Sequence, residues 1–315
     1  MPLSCAVIIP AFNAAEYLGE AIESVLAQSA AASSIVVVDD GSTDETPQVC
    51  VRFGDAIVSL RQENQGVSAA RNFGAKQVTA DWLLFLDADD RLMPDALSKM
   101  GVRGARGEPG VVYGQTLYFD DRDGERRIHG TEASEGPVPS AAKASFWKSA
   151  ITTPGAAMIR ASLFHEIGGF NPAVDSLADR DFWMKAGVLA EFGFVPEPLI
   201  EKREHSSNMS GNLDRTLYQI AQVQLGFFHW CSEKRIDSAF LNASPGDVID
   251  NVINRGLAKQ RLDAVKKILT LAEEYNIQTP LIDEARHYTA MPAAAAHVQL
   301  SIKAGIRQIT RLIAP

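Results

Sequence analysis

Asp87, Asp89 and Asp90 follow directly on the apolar run Trp82 to Leu86. Carboxylate oxygens are hard donors, so a pair of them suits Mn²⁺ or Mg²⁺ carrying a phosphate. In an extended chain Asp87 and Asp89 would point one way and Asp90 the other. Alone, the pattern also describes an ordinary strand that ends in a polar loop. Further clusters carry comparable chemistry. A carboxylate of Asp39-Asp40, before Gly41, can accept a hydrogen bond from a nucleobase edge or cap a helix. The stretch Asn64 to Asn72 contains Gly66 and Ser68, which suit a helix start, and Arg71. That guanidinium can grip a diphosphate or stand exposed on a helix. Asp179, after Leu177-Ala178, is either an N-cap or a general base. Arg203 and His205 share one face of an extended segment and either can steady a leaving diphosphate. His205 is also a metal-ligand type, although a lone His is more often structural.

The elements that must position these residues are legible from periodicity. Val7-Ile8-Ile9 reads as a strand ended by Pro10-Ala11-Phe12-Asn13, and Leu18, Ala21, Ile22, Val25 and Leu26 then keep helical spacing. Ile35 to Val38 is a second strand, with Ser42 to Asp44 as N-cap candidates for a helix towards Val51. A strand over Ala56 to Leu60, a helix over Gly66 to Val78 and the strand Trp82 to Leu86 continue the pattern. Such alternation implies right-handed βαβ units and a mostly parallel sheet. In open α/β sheets ligands bind beyond the carboxyl ends of the strands. The polar ends at Phe12-Asn13, Asp39-Asp40 and Asp87 to Asp90 would converge there, as scattered loop acids would not.

After Met100 the pattern changes. Val111 to Gly114 and Leu117 to Phe119 read as two strands, Asp121 to Gly124 as a turn with a return through Arg127-Ile128, and Gly130 to Ala142 as a mobile loop. A strand over 156–159, helices over 161–167 and 177–189, and a last strand over 199–203 follow. Beyond Asn212 only helical spacing remains, over 217–231, 246–258 and 262–275. The chain therefore divides into residues 1–211 and a helical C-terminal region, 212–315.

The 315 residues carry a formal net charge of -9, with 46% hydrophobic and 22% charged content. That is ordinary for a globular protein and argues against nonspecific nucleic-acid binding. Cys5, Cys50 and Cys231 are odd in number and lack metal-type spacing, and Cys5 and Cys50 read as small apolar residues in a strand and a helix, which fits a reducing cytosol. No secretory signal stands out, and no stretch reaches the roughly 18 apolar residues of a membrane span. A cytoplasmic location is expected.

In order, Val7-Ile8-Ile9-Pro10-Ala11-Phe12-Asn13, Val37-Val38-Asp39-Asp40-Gly41-Ser42-Thr43-Asp44, Asn64-Gln65-Gly66 with Ala70-Arg71-Asn72, Leu86-Asp87-Ala88-Asp89-Asp90, and Gly168-Gly169-Phe170 leading to Asp179 resemble the inverting family 2 glycosyltransferases with the GT-A fold. The resemblance covers roughly the first 210 residues. It implies an α/β architecture: a Rossmann-like mixed sheet flanked by helices, here followed by an α-helical region. On it, Pro10, Ala11, Phe12 and Asn13, with Asp40 and Arg71, bind the nucleotide of an activated sugar, most often a uridine diphosphate. Asp89 binds the Mn²⁺ or Mg²⁺ that bridges the diphosphate, with His205 as a second metal candidate. Asp87, Ala88 and Asp90 line the donor, Arg203 lies near the diphosphate, and Asp179 is the base. The acceptor is a carbohydrate or lipid-linked glycan, in cell-surface polysaccharide or glycoconjugate synthesis.

Two departures bear on the acceptor side. Ala178 stands where family members commonly have Glu, and Arg180 follows the base. The Gln-x-x-Arg-Trp signature of processive synthases is absent, which predicts one sugar per encounter. Competing readings are a haloacid-dehalogenase-type phosphatase, which would want Thr or Val where Arg91 stands, a sugar nucleotidyltransferase, which would want a Gly-rich basic loop at Pro10 to Asn13, and a non-catalytic sugar-nucleotide-binding domain. Finally, Ile302, Ile306, Ile309 and Ile313 lie near one face of a helix. That stripe suits a peripheral contact with the inner membrane face or, more often, a packing or homodimer surface.

Overall fold

The computed structural model describes residues 4–120, 124–130, 140–149, 151–174, 176–205, 212–301 and 303. It separates into two compact units, residues 1–208 and 209–315, where the disappearance of strands put the change near Gly211.

The first unit opens with β1 (Cys5–Ala11), α1 (Leu18–Leu26), β2 (Ser34–Asp39), α2 (Thr46–Phe53), β3 (Val58–Arg61), α3 (Val67–Ala75) and β4 (Trp82–Phe85). It continues through β5 (Arg91–Leu92), α4 (Ala96–Gly104), β6 (Val111–Asp120), β7 (Arg126–His129), α5 (Ser140–Trp147), β8 (Ala157–Arg160), α6 (Ala161–Ile167), α7 (Ala178–Leu189) and β9 (Phe192–Glu204). One sheet takes the order β3-β2-β1-β4-β8-β6-β9-β5, with β7 on β6. The β1–β4 part is parallel. β8 then runs antiparallel to both β4 and β6, so the sheet is mixed. β1 and β4 are buried along their whole length because each is central and covered on both faces. Since β2, β1 and β4 are adjacent and parallel, their carboxyl ends share one edge. Phe85, Phe164, Phe170 and Phe182 pack with ring centroids 5.0 to 5.7 Å apart, joining β4, α6 and α7 below that edge.

Several elements differ from those read in the sequence. β1 runs through Pro10 to Ala11, paired with Val38 and Asp39, rather than stopping at Pro10. α2 begins at Thr46, and Asp44 accepts the Thr46 N–H just ahead of it. The two strands expected over 111–119 are one, β6, whose register against β9 slips around Gln115. β9 starts at Phe192, well before Leu199. α4 was not anticipated: its buried stripe of Ala96, Leu97, Met100 and Gly104 mixes small residues and glycine, which weakens both propensity and apolar contrast. Within the stretch read as a loop over 130–142, residues 131–139 lie outside the described residues, and Ser140 to Ala142 open α5 instead. Its small side chains give little signal alone. They matter because α5 packs on α7 at Gly187, where an added Cβ would collide with Ala141 and Ala142.

The second unit is helical: α8 (Leu213–Glu233), α9 (Pro245–Ala258), α10 (Leu262–Glu274) and α11 (Pro280–Ala290). Asn212, Ser244 and Thr279 cap α8, α9 and α11, and Ser244 with Asp247 forms a reciprocal capping box. Val248, Val252, Ile253, Val265, Ile268 and Ile282 form part of its core. Ile302, Ile306, Ile309 and Ile313 lie outside the described residues. Among the described residues no helix is long and apolar enough to cross a membrane. The three cysteines are buried and unpaired, and burial pushes the Cys5 thiol up to about 12 and that of Cys231 up to about 11.

Candidate active site

The acids after β4 do not alternate as an extended chain would. The Asp90 N–H donates to the Asp87 carbonyl, so the chain turns as soon as the strand ends. Asp87 and Asp90 consequently face the same hydroxyl, Thr153 Oγ1, at 3.4 Å each, while Asp89 points to His205. This corrects the expectation that Asp87 and Asp89 share a side. Alternation holds only while the backbone stays extended.

Charge then distinguishes the three. Burial raises the Asp87 carboxyl, but Arg71, bonded to it directly, and Lys202 outweigh burial and hold it below the ordinary range. Asp90 is 1% exposed. Burial, added to the charges of Asp89 and Asp87, pushes it well up, against the opposing Lys202 charge and the Arg203 N–H. Asp89 is the more open member, its side chain 30% exposed, and its Oδ2 lies 3.0 Å from His205 Nε2.

β9 supplies the cations. Arg203 is 4% exposed, with its guanidinium between Tyr17 and Phe119 at 4.7 and 4.8 Å. It bonds Glu20 and the Asp89 carbonyl, and its N–H donates to Asp90 Oδ1. Arg203 therefore braces the acid turn against α1, and Tyr17 also stacks on His205 at 5.3 Å. The cation whose field reaches Asp87, Asp90 and Asp179 is Lys202. Burial lowers its own pKa, but Asp90 and Asp87 raise it further, so the net shift is upward. Sequence reading missed Lys202 because it followed the other face of the strand. It also missed Thr153, in a Thr-Thr-Pro-Gly turn that carries no distinguishing signal.

On the β1–β2 side, Asn13 sits at φ 48° and its Oδ1 accepts the Thr43 N–H, while Ser42 Oγ receives the Asn13 N–H. These bonds hold the loop after β1 to the loop after β2 and leave Phe12 half exposed above them. Asp40 accepts from Gln62 Nε2 and from the backbone of Gln65 and Gly66, drawing the segment before α3 over the strand end. A carboxylate has about four acceptor positions, so one remains. Gly41 is required at φ 78°, since a Cβ there would lie 2.9 Å from the Asn64 nitrogen. Arg71 is anchored on Asp87 and lies over the Phe170 ring at 5.2 Å. Among the described residues the buried Ser68 Oγ and Arg71 Nε have no hydrogen-bond partner. Two such orphaned atoms are unfavourable unless a polar ligand meets them.

Asp179 lies in the first turn of α7, and its Oδ1 accepts the following Arg180 N–H at 2.7 Å. Burial raises its pKa, the Asp87 charge adding to it, against Arg71, that N–H and Lys202. A carboxylate raised in this way is a better proton acceptor near neutrality. Arg71, Asp87, Asp89, Asp90, Arg203, His205 and Asp179 are thus gathered through direct contacts or shared fields at the sheet edge, and Asp40 follows β2 at the same edge, bonded to the segment before α3 that carries Arg71. Pro10 and Ala11, by contrast, are buried in β1.

The donor set suits a hard divalent cation. Asp89 Oδ2 and His205 Nε2, which bond each other at 3.0 Å, are both donor types that Mn²⁺ and Mg²⁺ sites use, and they would be the side chains to hold such an ion. Among the described residues no group of three or more potential ligands converges, so oxygen atoms of a bound ligand or water would complete the shell.

The mixed sheet and its flanking helices make up the GT-A architecture, and a helical C-terminal region follows it. The Staphylococcus aureus TarS 1–349 structure in complex with UDP superposes with a TM-score of 0.68 at 17% identity, over 97% of this chain and 92% of that one. The TarS 1–349 complex with UDP-GlcNAc gives 0.62 at 19%, with the same coverage. The family model described as glycosyl transferase family 2 matches residues 6–168. The chain belongs to that family. An uncharacterized glycosyltransferase of Rickettsia felis is 30% identical over 244 residues, 75% of this chain. One of Haemophilus influenzae is 27% identical over 274 residues, 85% of this chain and 92% of that protein. The chain spans only about 40% of the length of the Rickettsia felis relative.

Proposed function

We propose that the chain is a metal-dependent inverting glycosyltransferase that moves one sugar per encounter from a nucleotide-diphosphate donor, a UDP-sugar, to a hydroxyl acceptor. The observation that carries the reading is the meeting of a buried carboxyl, Asp179, whose pKa burial raises, with an acid turn and its cations, Arg71 and Lys202, at the carboxyl edge of the sheet. TarS, a fold neighbour, binds UDP and UDP-GlcNAc, and this supports the donor class. The resemblance to family 2 carries a place in cell-surface polysaccharide or glycoconjugate synthesis, with a carbohydrate or lipid-linked glycan as acceptor.

In this reading Asp40 offers its remaining acceptor position to an N–H of the base, and Phe12 covers the nucleotide. Asp179 takes the proton of the acceptor hydroxyl as that oxygen bonds to the anomeric carbon. The bond from that carbon to the diphosphate breaks with its electron pair on the departing oxygen. Inversion follows from attack opposite that bond. Lys202 and Arg71 offset the negative charge that develops there, and Arg203 keeps Asp89 and Asp90 in place. Asp89 and His205 would hold Mn²⁺ or Mg²⁺, which when bound supplies Lewis-acid neutralisation of the diphosphate.

The test is a panel of uridine, guanosine and thymidine diphosphate sugars offered to the full chain with Mn²⁺ and with chelator. At 100 times Kd the cognate donor adds about 2.7 kcal/mol of stability. The expected outcome is a rise in Tm with one donor class that chelator reduces, accompanied by slow donor hydrolysis. If no sugar nucleotide raises Tm or is hydrolysed, the proposal fails.

A further inference from the structure

Trp147 closes α5 with 41% of its surface exposed, beside a fully buried Phe146 whose ring it meets edge-on at 5.0 Å. Leaving an indole in water forgoes the burial that usually places tryptophan inside. Trp82 and Trp183 of the same unit follow that rule, at 5% and 0% exposed. Among the described residues of this unit the other exposed large aromatic is Phe12, at the nucleotide side.

The position of Trp147 is set by Arg180, one of the two departures noted beside the base. Its Nε donates to the Ser145 carbonyl at 3.1 Å, and its Nη2 donates to the Phe146 carbonyl, in the peptide unit that leads into Trp147. The backbone N–H of the same Arg180 donates to Asp179 Oδ1. One residue therefore fastens the Trp147 peptide on one side and the Asp179 carboxylate on the other. A guanidinium only 8% exposed would be costly without such partners, and the last carbonyls of a helix are favourable ones for a cation. These bonds tie the backbone that carries Trp147, through one arginine, to the residue that follows Asp179 and bonds its carboxylate.

We propose that Trp147 is the acceptor platform, its indole stacking on the C–H face of a pyranose ring so that a hydroxyl of that ring comes within reach of Asp179. The electron-rich face of an indole attracts the weakly positive C–H hydrogens of a sugar, and a rigid aromatic orders little on binding. Arg180 is then a positioning residue that sets the spacing between platform and base. The inference rests on the transferase reading, and it commits the acceptor to carry a pyranose.

Methyl glycosides of glucose, galactose, mannose and N-acetylglucosamine serve as probes with the full chain. Because Trp147 is the exposed tryptophan of its unit, binding of one of them changes the emission of the wild type and not that of Trp147→Phe. In transfer assays Trp147→Ala raises the acceptor KM about tenfold, an aromatic contact's worth, and Trp147→Phe recovers most of it. Val102→Ala, an exposed apolar control on α4, leaves that KM unchanged. Unchanged emission with every glycoside, or the same acceptor KM in Trp147→Ala and wild type, overturns the proposal. A wild type stabilised by no sugar nucleotide instead overturns the transferase reading, and glycoside binding by fluorescence still decides the fate of the platform.

Discussion

Asn72 offers the most quantitative perturbation. Its side-chain amide clamps the backbone of Phe170: Nδ2 donates to the Phe170 carbonyl at 2.7 Å and Oδ1 accepts the Phe170 N–H at 2.9 Å. The clamp fixes the turn after α6 to α3, holds the Phe170 ring under Arg71, and so connects the donor-side cation to the segment that leads to Asp179. Gly169 makes it possible. At φ 79° it adopts a backbone that L side chains rarely take, and a Cβ there would lie 2.5 Å from Asn72 Oδ1. Asn72→Ala strands one donor and one acceptor, each costing about 1–3 kcal/mol, so a loss of about 2–6 kcal/mol is expected. For a unit of this size that corresponds to roughly 4–24 °C in Tm. Gly169→Ala must displace the same amide and adds about 1–2 kcal/mol of left-handed backbone strain. In the Asn72→Ala background only the strain and a contact with Phe164 remain, so the two changes share most of their cost. A double-mutant cycle by thermal and urea unfolding of the full chain should show a coupling of about 2–6 kcal/mol, the cost the two changes share. Additive costs, or an Asn72→Ala loss below about 0.5 kcal/mol, would refute the clamp.

Asp179→Asn keeps an acceptor for the Arg180 N–H while removing the base, so transfer should fall by about 10²–10⁴-fold with donor binding by thermal shift retained; equal loss of both would contradict the assignment. Because the Asp179 pKa is raised by burial, the acid limb of kcat/KM should lie above the ordinary carboxylate range, and an acid limb at the ordinary Asp value would speak against it. Asp89→Ala and His205→Ala should each raise the Mn²⁺ concentration for half-maximal activity at least about tenfold, read by metal titration. Asp90 is raised in the folded state, so the native protein binds more protons than the unfolded chain between the unfolded and folded values. Its contribution to stability therefore declines as pH rises through that window. Asp90→Asn, whose Oδ1 still accepts the Arg203 N–H, should be more stable than wild type at neutral pH without divalent cation, the difference shrinking towards acid pH. Urea unfolding from about pH 5 to 8 checks this, and a difference that grows towards acid would reverse the argument.

The parallel half of the fold was legible because each of β1, β2 and β4 is a short apolar run closed by polar residues, a pattern that local spacing preserves. The site residues at those strand ends were legible for the same reason. The antiparallel half was harder to read. β6 looked like two strands because its register slips at Gln115, and the first residues of α5 fell in a stretch read as a loop because alanines carry little contrast until Gly187 packs on them.

Residue types, their order, the strand-end positions of Asp40 and Asp87 and the helix-start position of Asp179 were determined by the sequence alone, since they follow from chain-local periodicity. Which carboxylates face each other was not. Asp87 and Asp90 pair around Thr153, and Asp89 turns to His205, because the backbone leaves the extended state at the end of β4. The division of labour between Lys202 and Arg203 likewise depended on Glu20, Tyr17 and Phe119, which surround Arg203 from other elements. Such contacts join residues far apart in the chain, and only the packing of one sheet against its helices brings them within bonding distance.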